Sequence, residues 1–316
     1  MVNPLQFNTV LFSMSKIFKI DSHQFLSDGW STKQRSEALE NLEGNNVVFI
    51  PGLTIGIREE EKVLFSLDKA LTDGVQKNIT LDPFLKKTSG LAKESPYRSA
   101  VNGLMERYRD ETANWLVRLL GEPGRKYQPQ RTTFRPVEIS NRATLGKVGS
   151  DKQFRFDDTL LHADAFKRRP MVKRRILRVF NNVNPFGAPR LWKVGGDFTE
   201  YAKRYVNKIR QPYPGEFAIL NMLRLTHWKR SHYDHIMLNL HDMGKQDRDF
   251  QKNSPQQQFA FPPNSVWMCF TDGVLHAALA GRYALEQTFE INIDDMVHPE
   301  KSPQRLLEGL TGKSLC

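Results

Sequence analysis

A chain of 316 residues, 39% of them hydrophobic, can bury a sizeable core, which excludes a disordered chain and leaves one large domain or two small ones. Its two cysteines, Cys269 and Cys316, exclude a disulfide framework and a Cys-x-x-Cys zinc site, and they fit a reducing cytoplasm. The formal net charge of +11 calls for an anionic partner: nucleic acid, a phospholipid surface or an acidic small substrate.

Residues 1–19 contain a short apolar patch, Thr9-Val10-Leu11-Phe12, but neither a basic leader nor a small-residue cleavage site, so no secretory signal is expected. No apolar run approaches the length of a membrane span. Thr32 can cap a helix that continues through Glu43 and stops at Gly44, and Val47-Val48-Phe49-Ile50 before Pro51-Gly52 predicts a buried strand. A short helix is expected over 58–67. The clearest helix opens at Ser95-Pro96 and ends at Gly121; its positions Tyr97, Val101, Leu104, Tyr108, Trp115, Leu116 and Leu119 make one apolar face for core packing.

After Gly124 the period turns from helical to extended. Candidate strands fall at 132–139, 176–183, 233–241, 258–261, 265–271 and 274–293, the last broken by a turn at Gly281. The segment 195–230 reads as a helical excursion, and Ser302-Pro303 opens a last short helix to Leu310. The sum is an α+β chain: a sandwich or jelly roll (double-stranded β-helix) over 126–316 with its C-terminal helix, flanked by a helix-rich part over 1–125, in one domain of 1–316.

Two His-x-Asp pairs occur, His162-Ala163-Asp164 and His232-Tyr233-Asp234. Such a pair can supply two ligands of a 2-His-1-carboxylate iron site, which leaves coordination positions open for substrate and dioxygen, but the spacing alone is weak. On a strand, His235, Met237, Asn239 and His241 would share a face with His235 and His241 too far apart to hold one ion. On a helix, His232 and His235 would meet while Asp234 points elsewhere. Both readings make the 232–241 histidines a packed or hydrogen-bonded set.

The first pair has a plausible third ligand, because the stretch 266–276 delivers His276 by a strand and a turn to the start of another strand. If Leu279-Ala280-Gly281 is a three-residue hairpin loop, Arg282 shares a face with His276 and lies on the order of 7–8 Å from the position opposite it. That would suit an arginine gripping the far carboxylate of a short dicarboxylic acid. A two-residue loop would instead turn Arg282 outward and put Tyr283 and Gln287 on the metal face. Directly after the pair, Lys167, Arg168, Arg169, Lys173, Arg174, Arg175 and Arg178 fall within twelve residues.

The blocks Leu161-His162-Ala163-Asp164-Ala165-Phe166, Arg175-Ile176-Leu177-Arg178-Val179-Phe180-Asn181-Asn182-Val183-Asn184-Pro185, Tyr233-Asp234-His235-Ile236-Met237-Leu238-Asn239-Leu240-His241-Asp242, Thr271-Asp272-Gly273-Val274-Leu275-His276-Ala277-Ala278, Leu285-Glu286-Gln287-Thr288-Phe289 and Ser302-Pro303-Gln304-Arg305-Leu306-Leu307-Glu308 together resemble the bacterial Kdo hydroxylases. The resemblance runs from about residue 130 to the C-terminus and is weaker before it. These are Fe(II)- and 2-oxoglutarate-dependent dioxygenases that act on the 3-deoxy-D-manno-octulosonic acid (Kdo) of lipopolysaccharide precursors.

The resemblance implies a catalytic jelly roll in which His162, Asp164 and His276 are the iron ligands and Arg282 holds 2-oxoglutarate. It implies hydroxylation of carbon 3 of Kdo on Kdo-lipid A to Ko, with O2 consumed and succinate released. Related dioxygenases often place a serine two residues after the arginine; here it is Ala284, so another group must complete the carboxylate site. Arg178 is the expected contact for the anionic substrate. Lys167, Arg168 and Arg169 could hold the cytoplasmic face of the inner membrane, and no nucleic-acid partner is expected. The competing readings are a 2-oxoglutarate oxygenase on another anionic metabolite or nucleic acid, and a non-catalytic basic binding module on the same barrel. An intact ligand set with its arginine argues against the non-catalytic module, and the scarcity of stacking aromatics in 167–178 against a single-strand binder.

Overall fold

A computed structural model describes residues 16–67, 71–73, 78–139 and 153–316, so the apolar patch at 9–12 lies outside the described residues. The helices are α1 (Ser22–Leu26), α2 (Thr32–Glu43), α3 (Arg98–Leu120), α4 (Phe198–Tyr205), α5 (Glu216–Met222), α6 (His232–Gln246), α7 (Arg248–Asn253) and α8 (Pro303–Thr311). One eight-stranded sheet carries, side by side, β1 (Ile17–Lys19), β2 (Val47–Pro51), β9 (Ser265–Phe270), β6 (Arg174–Asn182), β11 (Ala284–Asn292), β5 (Gln128–Arg135), β3 (Ile79–Asp82) and β4 (Lys87–Ser89). Its pairings are antiparallel except β1 with β2. A second, antiparallel sheet has β10 (His276–Ala280), β7 (Arg190–Gly195) and β8 (Gln256–Phe261) in that order.

The N-terminal helices cover the outer face of the large sheet. Ser31, one residue before the expected cap, accepts from the Gln34 amide while Gln34 reaches back, and this capping box starts α2. Helix α3 starts a turn later than Ser95-Pro96 because the Ser95 hydroxyl accepts from the Tyr97 amide and holds a turn ahead of the helix. Its buried Val101, Leu104, Tyr108, Leu116 and Leu119 pack in one cluster with Phe134, Leu177, Val179 and Leu285 of the sheet. Each such side chain contributes about 1.5–3 kcal/mol by leaving water. The Tyr108 hydroxyl donates to the Val179 carbonyl at 3.0 Å and sets where the helix lies.

The inner face of the large sheet meets the small one through aromatics. Phe180, Trp192, Phe261, Trp267, Val194 and Cys269 form one buried cluster drawn from both sheets. Trp267 lies between Phe261 and Phe180, with ring centroids 4.1 and 5.3 Å away and nearly parallel planes.

Two expectations fail. Residues 233–241 are helical, not extended: Ser231 and Asp234 form a capping box, and Tyr233, Ile236, Met237 and Leu240 bury one helical face. The alternation of Ile236, Leu238 and Leu240 that reads as a strand is not one face of the helix: Ile236 and Leu240 lie on the buried side and the half-buried Leu238 points away from it. The stretch 274–293 is not a hairpin either. Its halves lie in different sheets, β10 against β7 and β11 between β5 and β6. Gly281 and Tyr283, both at positive φ, carry the chain from one sheet to the other. Strand β7, which the sequence reading leaves out, is the middle strand of the small sheet.

Candidate metal centre

The centre is built by backbone pairing. The His162 amide donates to the His276 carbonyl at 3.1 Å and the His276 amide donates to the His162 carbonyl at 2.9 Å. This reciprocal bridge extends the small sheet by one residue pair beyond β10 and puts the two rings side by side, with centroids 4.7 Å apart. Two residues on, the Asp164 amide donates to the Thr271 carbonyl at 2.7 Å, which turns the carboxylate back toward the rings. One ligand atom from each of His162, Asp164 and His276 falls within 4.8 Å of the others.

Gly195, at the end of β7, makes this approach possible. A Cβ there would sit 2.7 Å from Leu275 Cβ and 2.9 Å from Leu161 Cδ2, the residues just before the two histidines. Gln251 of α7 clamps the same strand, accepting from the Leu161 amide at 2.8 Å and donating to its carbonyl at 2.9 Å.

The electrostatics suit a cation. Burial pushes His162 down to about 4, against the opposing pull of Asp164, and burial likewise lowers His276, so both imidazoles are neutral at physiological pH. Each ring Nδ1 lies against a backbone carbonyl two residues earlier, Leu160 at 2.7 Å and Val274 at 2.9 Å. With Nδ1 as the donor, each Nε2 keeps its lone pair for a metal. Burial opposes the charge on Asp164, but Arg178 and the two histidines hold its carboxyl well below the usual carboxylate range.

Arg178 stands on the face of β6 that also presents Phe180 to the inter-sheet core. Its guanidinium pairs with Asp164 Oδ2 at 3.0 Å and with Glu286 Oε1 at 3.1 Å. Trp192 stacks on His276 with centroids 5.3 Å apart, and the His241 ring stands edge-on to His162 at 5.3 Å. His241 Nδ1 is 3.0 Å from Asp242, which Arg155 grips in turn. Sequence reasoning gave no site role to Trp192, Gln251 or Gly195, and it grouped His241 with the packed histidines. Reading 232–246 as a helix would have separated His241 from His232 and His235 and set it in line with Met237 and Lys245.

The second His-x-Asp pair does not form a metal site. Asp234 is the capping-box partner of Ser231, accepting from its amide, and also accepts from the Met171 amide at 2.6 Å. His232 and His235 pack against Phe217, and His235 Nε2 lies 2.9 Å from the Arg210 carbonyl. Among the described residues, His162, Asp164 and His276 are the trio that comes together as a ligand set.

The hairpin that put Arg282 on the metal face is absent. Arg282 sits in the link between the sheets, its guanidinium over Phe186 at 5.4 Å and Tyr283 at 4.8 Å. Thr288, the residue opposite Arg178, is six positions further along, a span of roughly 20 Å in extended chain. The basic run also divides. Arg169 and Arg174 both pair with Glu290, Arg175 is buried against Asp272, and Arg178 belongs to the centre, whereas Lys167 and Arg168 remain exposed.

A family model described as 3-deoxy-D-manno-oct-2-ulosonic acid (Kdo) hydroxylase matches residues 27–314. Solved structures of the Kdo hydroxylase KdoO, a non-heme Fe(II) α-ketoglutarate-dependent dioxygenase, are similar throughout. The complex with α-ketoglutarate and Fe(III) is 40% identical with a TM-score of 0.85, and the cobalt(II) complex is 41% identical with a TM-score of 0.86. In both, the match covers 95% of this chain and 97% of the other. No curated protein matches.

Proposed function

The chain belongs to the Kdo hydroxylase family of Fe(II)- and 2-oxoglutarate-dependent dioxygenases, and on that premise we propose that it hydroxylates carbon 3 of Kdo on Kdo-lipid A, giving Ko. The observation that carries the reading is the reciprocal His162–His276 bridge, which assembles two neutral imidazoles and a carboxylate into a compact set. That donor set fits non-heme Fe(II), with His162, Asp164 and His276 as ligands. When bound, the iron couples the oxidative decarboxylation of 2-oxoglutarate by O2, to succinate and CO2, to replacement of a substrate C–H by C–OH.

The chain's own residues supply geometry and exclude water. The carbonyls behind Nδ1 of His162 and His276 fix the ring orientations, so neither histidine serves as a general base. Trp192 and His241 wall the two rings, and the aromatic layer between the sheets keeps that end of the site dry. Arg178, buried beside Asp164, is the cation placed to meet a carboxylate of the co-substrate or of Kdo, and Arg282 is the alternative anchor for 2-oxoglutarate. We assign the two facing sheets to a jelly-roll core over 126–316 that works with 1–125 as a single catalytic unit.

Kdo-lipid A is anionic and lipid-borne, so the enzyme is placed at the cytoplasmic face of the inner membrane. No helix among the described residues is long and apolar enough to cross a membrane, and the exposed Lys167 and Arg168 support the reading of peripheral contact. The test is mass spectrometry of Kdo-lipid A incubated with the protein, Fe(II) and 2-oxoglutarate. The product should gain one oxygen atom on Kdo for each succinate formed; an unchanged sugar mass would sink the substrate assignment.

A further inference from the structure

Among the described residues, thirteen large apolar side chains are exposed, and six of them lie in one segment: Tyr213, Ile219, Met222, Leu223, Leu225 and Trp228. The others are scattered singly or, at Phe84 and Leu85, as one adjacent pair. The segment is the loop around α5. Phe217 turns inward onto His232 and His235, and Thr226 is buried, so the excursion is fastened to the body from within. Its outer face carries Ile219, Met222 and Leu223 at i, i+3 and i+4, an apolar stripe that faces solvent where a helix of a soluble domain would show polar residues.

The surroundings are basic. Residues 206–230 hold five Lys and Arg and one acid, Glu216, and Arg210 already pairs with that acid at 2.9 Å. The returning arm lies along the exposed cations that follow the metal ligands. The His227 amide donates to the Arg168 carbonyl at 2.9 Å, Arg230 donates to the Lys167 carbonyl at 2.8 Å, and the Trp228 indole donates to the Pro170 carbonyl at 2.6 Å. An exposed apolar stripe with a tryptophan and cations in the same segment has the chemistry of a bilayer's interfacial layer.

We propose that 213–228 is the element by which the protein inserts into an anionic phospholipid surface, with Lys167, Arg168, Lys208 and Lys229 at headgroup level. The insertion deepens the reading of a lipid-borne substrate and rests on it for its purpose. It brings the segment just after Asp164 to the membrane, so a sugar displayed on a lipid can reach the metal ligands without leaving the bilayer.

The test is co-sedimentation of the full chain with vesicles of phosphatidylcholine alone or mixed with phosphatidylglycerol, neither containing Kdo. The wild type should bind the mixed vesicles more tightly. The double substitution Met222→Ser and Leu223→Ser should lower its partition at least about tenfold, about 1.4 kcal/mol, with an unchanged unfolding temperature. Lys208→Glu with Lys229→Glu should weaken binding to the mixed vesicles alone. The proposal is overturned if the serine variant binds as the wild type does, or if that variant instead converts a dimer to a monomer without changing vesicle binding, since a second copy would then cover the face. Loss of vesicle binding by the wild type while Kdo-lipid A in detergent is still hydroxylated would remove the docking element alone. Vesicle binding without hydroxylation would remove the proposed function.

Discussion

Whether a histidine can hold iron depends on what its other nitrogen does, and both histidines proposed as ligands spend Nδ1 on a carbonyl of their own chain. The same arrangement sets the tautomer and aims Nε2, so truncating one ring removes one of the three proposed ligands. His276→Ala should abolish turnover and the rise in unfolding temperature that Co(II), an oxygen-inert stand-in for Fe(II), gives the wild type. His232→Ala should keep both, because that ring packs on Phe217. Arg178 is the second residue-scale case. It is the shared partner of two buried carboxylates, and Arg178→Met would leave Asp164 with no cation at its side and Glu286 with Arg135 alone, at a cost of about 3–5 kcal/mol by denaturant unfolding. Arg178→Lys keeps the charge and loses the fork, so it should raise KM for 2-oxoglutarate while the protein stays folded. A larger KM rise from Arg282→Ala would restore Arg282 as the anchor.

At the scale of elements, the site depends on two strands coming closer than side chains normally allow. Gly195 sits where a Cβ would strike Leu275 and Leu161, so Gly195→Ala should spread the bridge that aligns His162 and His276. Overpacking of this kind costs about 1–3 kcal/mol, and metal affinity should fall by about tenfold in a chain that still folds. Gly196→Ala is the control, since its Cβ would meet nothing closer than Pro255 at 3.4 Å. Equal metal affinity in the two variants would mean that Gly195 does not set the spacing. The same pair of strands marks where sequence reading stopped. The α3 face and the edges of β6 and β9 were legible as local periods, and the two histidines and the aspartate that the structure brings together were legible as short motifs. The partners of β10 and β11 were not, because a glycine turn fits a hairpin and a crossing between sheets equally well, and the two differ only in long-range pairing. Arg282 was assigned through that register and lost its geometric ground with it. Helix α6 was misread for a related reason: apolar residues on different sides of a helix, Ile236 and Leu240 on one and Leu238 on another, imitate a strand's alternation over five residues.

Over the whole molecule, the net charge of +11 is a poor guide until the internal pairs are taken away. Arg169, Arg174, Arg175 and Arg178 each have a carboxylate partner, so most of the basic run that follows the metal pair serves the fold and the centre. Lys167 and Arg168 are left at the surface, beside the arm that returns from α5. Their contribution should therefore lie in capturing an anionic substrate. Near an anionic surface each cation is worth about 1 kcal/mol, so reversing both charges should raise KM for vesicle-borne Kdo-lipid A by tenfold or more. KM for 2-oxoglutarate should stay as it is, because that molecule binds inside the site. Added salt should move the wild type in the same direction through screening, and should move the Lys167→Glu, Arg168→Glu variant much less. Parallel rises in both KM values would instead mean that the reversal disturbs the centre through Asp164, only three residues before Lys167.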